Sequence, residues 1–200
     1  MKPERLKLAI LASGGGTDLQ SIIDAVKSGY LDVDIKVVIS NNPEAYALER
    51  ARKGGIPVIM HRSTHYRDLQ EFRERFLSIL FEYDVNFIVL AGYLKKIPEN
   101  VIEQFQRRII NIHPALLPGY GGKGFYGINV HKAVIAAGDK VSGVTVHFVD
   151  CKYDHGEIIY QEKVPVKLDD NPESLAARVL EAEHKVLPKV IKMFADGEIE

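Results

Sequence analysis

Residues 6–20 read LKLAILASGGGTDLQ, a nearly unbroken apolar run that stops at three glycines and gives way to a helix-like segment. A strand buried on both faces of a parallel sheet reads this way, because both of its faces meet other apolar layers. Downstream, Leu19, Ile22, Ile23 and Val26 recur at helical spacing until Gly29, and residues 35–39 form a second apolar run ending at Ser40, Asn41 and Asn42. Strand, helix and strand therefore alternate from the start of the chain.

The alternation continues. A helix is expected over residues 43–53, closed by Gly54 and Gly55, then a short strand over 58–60. A longer helix carries the stripe Leu69, Phe72, Phe76, Leu80 and Tyr83, and residues 87–91 form the next buried strand before Gly92. Pro98 starts another helix, and residues 108–112 form a fifth strand whose end delivers NIHPALLP. Residues 143–150 and 158–166 read as two β segments around KYDHG, an antiparallel hairpin-like addition, and a final helix spans 172–195. The pattern predicts an α/β fold with a doubly wound, mostly parallel, Rossmann-like sheet, a C-terminal antiparallel β addition and a long last helix. No repeat or linker interrupts it, so one domain over 1–200 is expected, with ligands at the C-terminal ends of the strands.

Composition narrows the class. The 200 residues are 46% hydrophobic and 26% charged with a formal net charge of −1, an ordinary globular balance without the basic excess of a nucleic-acid binder. The single cysteine, Cys151, excludes an intramolecular disulfide and suits a reducing compartment. The N-terminal apolar run of about seven residues is too short to span a bilayer, so no membrane association and a cytoplasmic location are expected.

Three stretches can carry chemistry. SGGGTDLQ, between strand and helix, can present backbone amides to an anion, or it can be a tight turn with Thr17 or Asp18 as helix cap. It lacks the Lys-Ser/Thr ending of a Walker loop, and Leu19 stands at the third glycine of the dinucleotide fingerprint. Asn111 and His113 lie two apart at a strand end and project to one side; an Asn amide can serve a developing oxyanion and a His can hold or pass a proton. Asp154, in KYDHGEI, is either a turn residue or, if folded beside His113, a charge that raises the histidine pKa. The remaining histidines share no metal-ligand spacing, so no metal site is expected, and His131 either lines the pocket or packs on a helix.

Taken together, SGGGTDLQ, VLAGYLKKI, NIHPALLPGYGGKGFYG, VHFVD and YDHGEIIYQEKVPV resemble the phosphoribosylglycinamide formyltransferase family over nearly the whole chain. The resemblance implies transfer of the formyl group of 10-formyltetrahydrofolate to the amine of glycinamide ribonucleotide in purine biosynthesis, without a metal or covalent intermediate. It implies Asn111, His113 and Asp154 as the catalytic set, with Asn111 and protonated His113 on the oxyanion. Gly16, Thr17, Asp18 and Glu183 would serve the substrate phosphate and ribose; Arg67, Leu94, Lys95, Lys96, Ile97, Asn111 and Asp150 would serve the folate. Arg67 also reads as a surface helix start, and Asp18 stands where many members carry Asn. The ribonucleotide would fall to residues 1–100 and the folate and catalysis to 101–200, in a monomer or homodimer. A formyltetrahydrofolate hydrolase or a methionyl-tRNA formyltransferase shares the scaffold but is expected to carry an additional domain. A noncatalytic nucleotide-binding domain would have no chemical need for Asn111, His113 and Asp154 as a set.

Overall fold

The structure, a computed structural model, describes residues 4–199; the expected domain span also includes residues 1–3 and 200, which lie outside the described residues. Five parallel strands, β1 (Lys7–Leu11), β2 (Asp34–Ser40), β3 (Val58–Met60), β4 (Phe87–Leu90) and β5 (Ile109–His113), join two antiparallel ones, β6 (Val141–Phe148) and β7 (Ile158–Pro165). They form one seven-stranded sheet in the order β3-β2-β1-β4-β5-β6-β7. The order reverses between β1 and β4, which is where an open sheet of this kind leaves a crevice at its C-terminal edge.

The apolar runs are buried on both faces. Leu8, Ile10, Phe87, Val89, Ile110 and Ile112 face one core, against α1 (Thr17–Lys27), α2 (Tyr46–Lys53), α5 (Ile128–Ala137) and α6 (Pro172–Ala195). Their neighbours Ala9, Leu11, Ile88, Leu90 and Ile109 face a second core, under α3 (Leu69–Glu82) and α4 (Glu99–Gln104). At β5 and β6 this second face changes character. Asn111, His113, Thr145 and His147 replace the aliphatic residues there, paired Asn111↔His147 and His113↔Thr145 across the two strands. The residues in the antiparallel strands that alternate with them, Val144, Val146 and Phe148, still belong to the first core.

Several local expectations need correction. Neither Thr17 nor Asp18 caps α1: the N-cap is Gly16, at φ 69°, with no side-chain cap. A Cβ at Gly16 would lie 2.6 Å from the Cβ of Ala47, so close approach of α2 demands glycine there. The helix expected from residue 43 starts at Tyr46. Leu69 opens α3 but is 63% exposed and leaves the apolar stripe to Phe76, Ile79 and Leu80. Helix α5 had no separate expectation, whereas α6 matches 172–195 because Asn171 and Ser174 form a capping box with Pro172 at the first turn.

Candidate active site

The end of β1 is fastened at the crevice. The Ser13 amide donates to the Gly92 carbonyl at 3.0 Å and the Leu94 amide donates to Ser13 Oγ at 3.0 Å, so the glycine turn and the segment after β4 share one edge. Arg50 of α2 donates from Nε to the Gly15 carbonyl at 2.8 Å and from Nη1 to Gln20 Oε1 at 3.2 Å, which holds the turn from outside. The first-turn amides of α1 then face outward with the favourable end of the helix dipole.

Asn111, His113 and Asp154 come together. Asn111 Nδ2 lies 3.4 Å from Asp154 Oδ1, and His113 Nδ1 lies 3.7 Å from the same oxygen. His113 donates from Nε2 to the Tyr120 carbonyl at 2.8 Å, which aims Nδ1 at the carboxylate. The Gly122 amide donates to Asp154 Oδ2 at 2.9 Å. Tyr120 and Asp154 both stand in the left-handed region, at φ 56° and 53°, so the loop backbone is held in a strained form at the site. A Cβ on Gly121 would come within 2.6 Å of Leu117 Cδ2 and 3.2 Å of Asp154 Cβ, so a side chain at that point would have to displace Leu117 and press on Asp154.

His147 completes the group, and no role was expected for it. Its Nδ1–H donates to the Phe148 carbonyl at 2.7 Å, leaving Nε2 to accept from Asn111 Nδ2 at 3.1 Å and to face Asp154 Oδ1 at 3.6 Å. Alternation in VHFVD does place His147 on the face opposite Val146 and Phe148; the signal that would have found it is its pairing partner, Asn111. Below it, Thr145 donates to the Ala115 carbonyl at 2.6 Å and accepts from the Leu117 amide at 3.0 Å and from Gln161 Nε2 at 2.9 Å. That buried hydroxyl fixes the path of NIHPALLP across β6.

Burial dominates the electrostatics. It pushes His113 below the ordinary histidine value, outweighing the upward pull of Asp154 and of the Tyr120 carbonyl. The expectation that Asp154 raises His113 overall is therefore corrected: the imidazole is 3% exposed, and desolvation of its charged form exceeds the attraction. Burial alone would raise Asp154, but the His147 contact, the field of His113 and the Gly122 amide together leave it below the usual carboxylate value. His131 is also lowered, by burial first and then by His113.

A cavity of ≈ 600 Å³ lies over the C-terminal edge of the sheet. Asp18, Leu94, Asn111, His113, Asp154 and Glu183 line it, with His131, Tyr93, Tyr153 and the covering segment from Gly122 to Ile128 as further wall. A smaller cavity of ≈ 70 Å³ adjoins it, lined by Lys95, Lys96, Ile97 and Asp150, and shares Tyr93, Asn111, Tyr153 and Asp154 with the larger one. Gly16 and Thr17 build the turn beside Asp18 but are not part of the cavity wall. Arg67 is not brought to either cavity: its side chain is 83% exposed and its Nε lies 3.3 Å from Asp68, beside the cap of α3. Among the described residues no group of three or more His, Cys, Asp or Glu side chains is placed to hold a metal ion, and no helix is long and apolar enough to cross a membrane.

An amide, a histidine and a carboxylate on one cavity wall suit acyl or formyl transfer through a tetrahedral intermediate. Sequence comparison agrees: residues 6–191 match the formyl transferase family, and the chain belongs to it. Within that class it is similar to the phosphoribosylglycinamide formyltransferase of Haemophilus influenzae, at 40% identity over 96% of this chain and 89% of the relative. It is 45% identical to the chloroplastic phosphoribosylglycinamide formyltransferase of Vigna unguiculata over 98% of its own residues, and spans 62% of that relative's length. The crystal structure of glycinamide ribonucleotide transformylase 1 from Symbiobacterium toebii superposes with a TM-score of 0.90 at 37% identity, covering 98% of this chain and 91% of that one.

Proposed function

We propose that the protein transfers the formyl group of 10-formyltetrahydrofolate to the amine of glycinamide ribonucleotide, in the cytoplasm and as one domain. The observation that carries this reading is the convergence of Asn111, His113 and Asp154, within 3.7 Å of one carboxylate oxygen or bearing it, on the wall of the larger cavity where Asn111 and Asp154 also face the smaller one. The larger cavity takes the ribonucleotide, with its phosphate toward Gly16, Thr17 and Asp18 and its ribose toward Glu183. The smaller takes the pterin among Lys95, Lys96, Ile97 and Asp150, with Leu94 between the two. Arg67 has no contact that supports a folate role.

The amine nitrogen attacks the formyl carbon, and the carbonyl oxygen becomes an oxyanion beside Asn111 and His113. His113 is held neutral by burial in this structure. A new negative charge next to Asp154 draws a proton onto the imidazole when it is needed, so His113 charges with the intermediate rather than before it. Beside Asp154, which orients Nδ1, the amine proton passes through water to that nitrogen, and the imidazolium returns it to N10 as the oxyanion re-forms the carbonyl and the carbon–N10 bond breaks, so the proton lost by the amine is the one gained by N10. The test is folate deformylation followed by absorbance with and without glycinamide ribonucleotide, with the formylated product identified by mass. Turnover that depends on the ribonucleotide supports the transfer; equal turnover without it identifies a hydrolase, and no turnover refutes both.

A further inference from the structure

Asp18 and Glu183 stand at the end of the larger cavity on two helices that pack together, the first turn of α1 and the middle of α6. Glu183 is only 8% exposed and makes no hydrogen bond or ion pair among the described residues, although it lines the cavity. Asp18 Oδ1 is likewise buried without a hydrogen-bond partner. The nearest base, His184 Nε2, lies 3.8 Å from Asp18 Oδ1 and also lacks a hydrogen bond. Burial and the field of Arg50 hold His184 below its ordinary value, so the contact is not an ion pair at neutral pH. Arg50, the cation on α2, directs its guanidinium to Gly15 and Gln20 instead. His131 is held neutral by burial, and Lys123 reaches the cavity only from the exposed covering segment.

Two buried carboxyls on one cavity, without a cation or a donor between them, do not both ionise. A phosphate arriving at the adjacent helix turn adds a charge of about −1.5 to −2. We propose that Asp18 and Glu183 act as an acid pair that keeps one proton between them while the phosphoribosyl group is bound. One carboxyl donates a hydrogen bond to the ligand and the other accepts one from a ribose hydroxyl. This rests on the ribonucleotide reading and adds to it a specificity device: the site recognises its ligand only in the singly protonated state of the pair. Burial, which pushes Asp18 up to about 6 and Glu183 well above the carboxylate range, agrees with the geometry.

The experiment measures the dissociation constant of glycinamide ribonucleotide by calorimetry between pH 6.5 and 8.5, for the unchanged protein and for Asp18→Asn. The ligand's own amine and phosphate titrate alike in both, so the difference between the profiles belongs to the pair. The unchanged protein should weaken by up to about tenfold per pH unit more steeply than Asp18→Asn, the limit for one linked proton. Parallel profiles overturn the proposal while leaving ribonucleotide-dependent turnover, and hence the functional reading, intact. Absence of binding and turnover in the unchanged protein overturns both. Should Asp18→Asn fail to fold, Glu183→Gln takes its place. Carboxyl ¹³C shifts of the unchanged, ligand-free protein give a separate readout, in which ordinary titration of both groups below pH 5 also refutes the pair.

Discussion

The stability of Asp18→Asn as a function of pH follows from the same burial. Asp18 sits at a helix N-terminus, where the dipole favours a carboxylate by about 0.3–1 kcal/mol, less than one pKa unit. Burial wins: the group is pushed up to about 6 from an ordinary 3.8. Roughly two units at about 1.4 kcal/mol each make about 3 kcal/mol. A carboxyl raised on folding keeps its proton in the folded state while the unfolded chain loses it, so its contribution is greatest below pH 3.8, falls as pH rises through 4 to 6, and is lost above about 6. Asn carries no such loss. Urea unfolding of both proteins at pH 4, 5, 6 and 7 should show the variant gaining about 3 kcal/mol relative to the parent across that range, a large share of a typical 5–15 kcal/mol total. The comparison across pH cancels any constant effect of the amide on local hydrogen bonding. A stability difference that stays flat from pH 4 to 7 refutes the reasoning.

His113→Ala should keep the fold by circular dichroism and lower formyl transfer by on the order of a hundredfold or more, the scale of lost proton or oxyanion assistance; near-normal turnover rules out its role. Asp154→Asn removes the upward pull on His113 and should lower its titration midpoint further, read from the histidine ring signals by NMR, with an unchanged midpoint counting against the pairing. Thr145→Val strands the Leu117 amide and the Ala115 carbonyl without their shared hydroxyl, and at about 1–3 kcal/mol per buried group the denaturation midpoint should drop by the equivalent of about 2–6 kcal/mol at constant m. Burial holds His61 down at about 4 against an ordinary 6.5, so the unfolded chain takes up a proton that the folded one refuses. The folded state therefore loses about 3 kcal/mol as pH falls from 6.5 to 4, and His61→Leu should flatten that acid limb in denaturant titrations.

Much of the sheet could be read from residues alone, since strands covered on both faces leave uninterrupted aliphatic runs such as 87–91, and Asn171-Pro172 marks the start of α6. What escaped depends on contacts between distant segments. The cap of α1 is glycine because α2 approaches it, and nothing within SGGGTDLQ reports that approach. Helix α5 runs straight out of a glycine-rich segment and buries only Val130, His131 and Val134, too short a stripe to announce itself. Asn111 and His113 could be placed on one side from their spacing, but His147 required the β5–β6 register. The sign of the His113 shift was missed because a neighbouring charge is visible in a motif and desolvation is not. Arg67 is drawn to its own neighbour, Asp68, a local choice that the motif-level match overlooks.

On the face of β5 and β6 that bears Asn111, His113, Thr145 and His147, the packing helices give way to two irregular segments, one leading from NIHPALLP and one through KYDHG. The reactive side chains thus stand on paired strands, while the surfaces that enclose their reactants belong to chain with no ladder of its own. Such a molecule separates workbench from fixture: its jaws can be lengthened, shortened or re-cut to grip a different reactant, and the tools beneath keep their spacing.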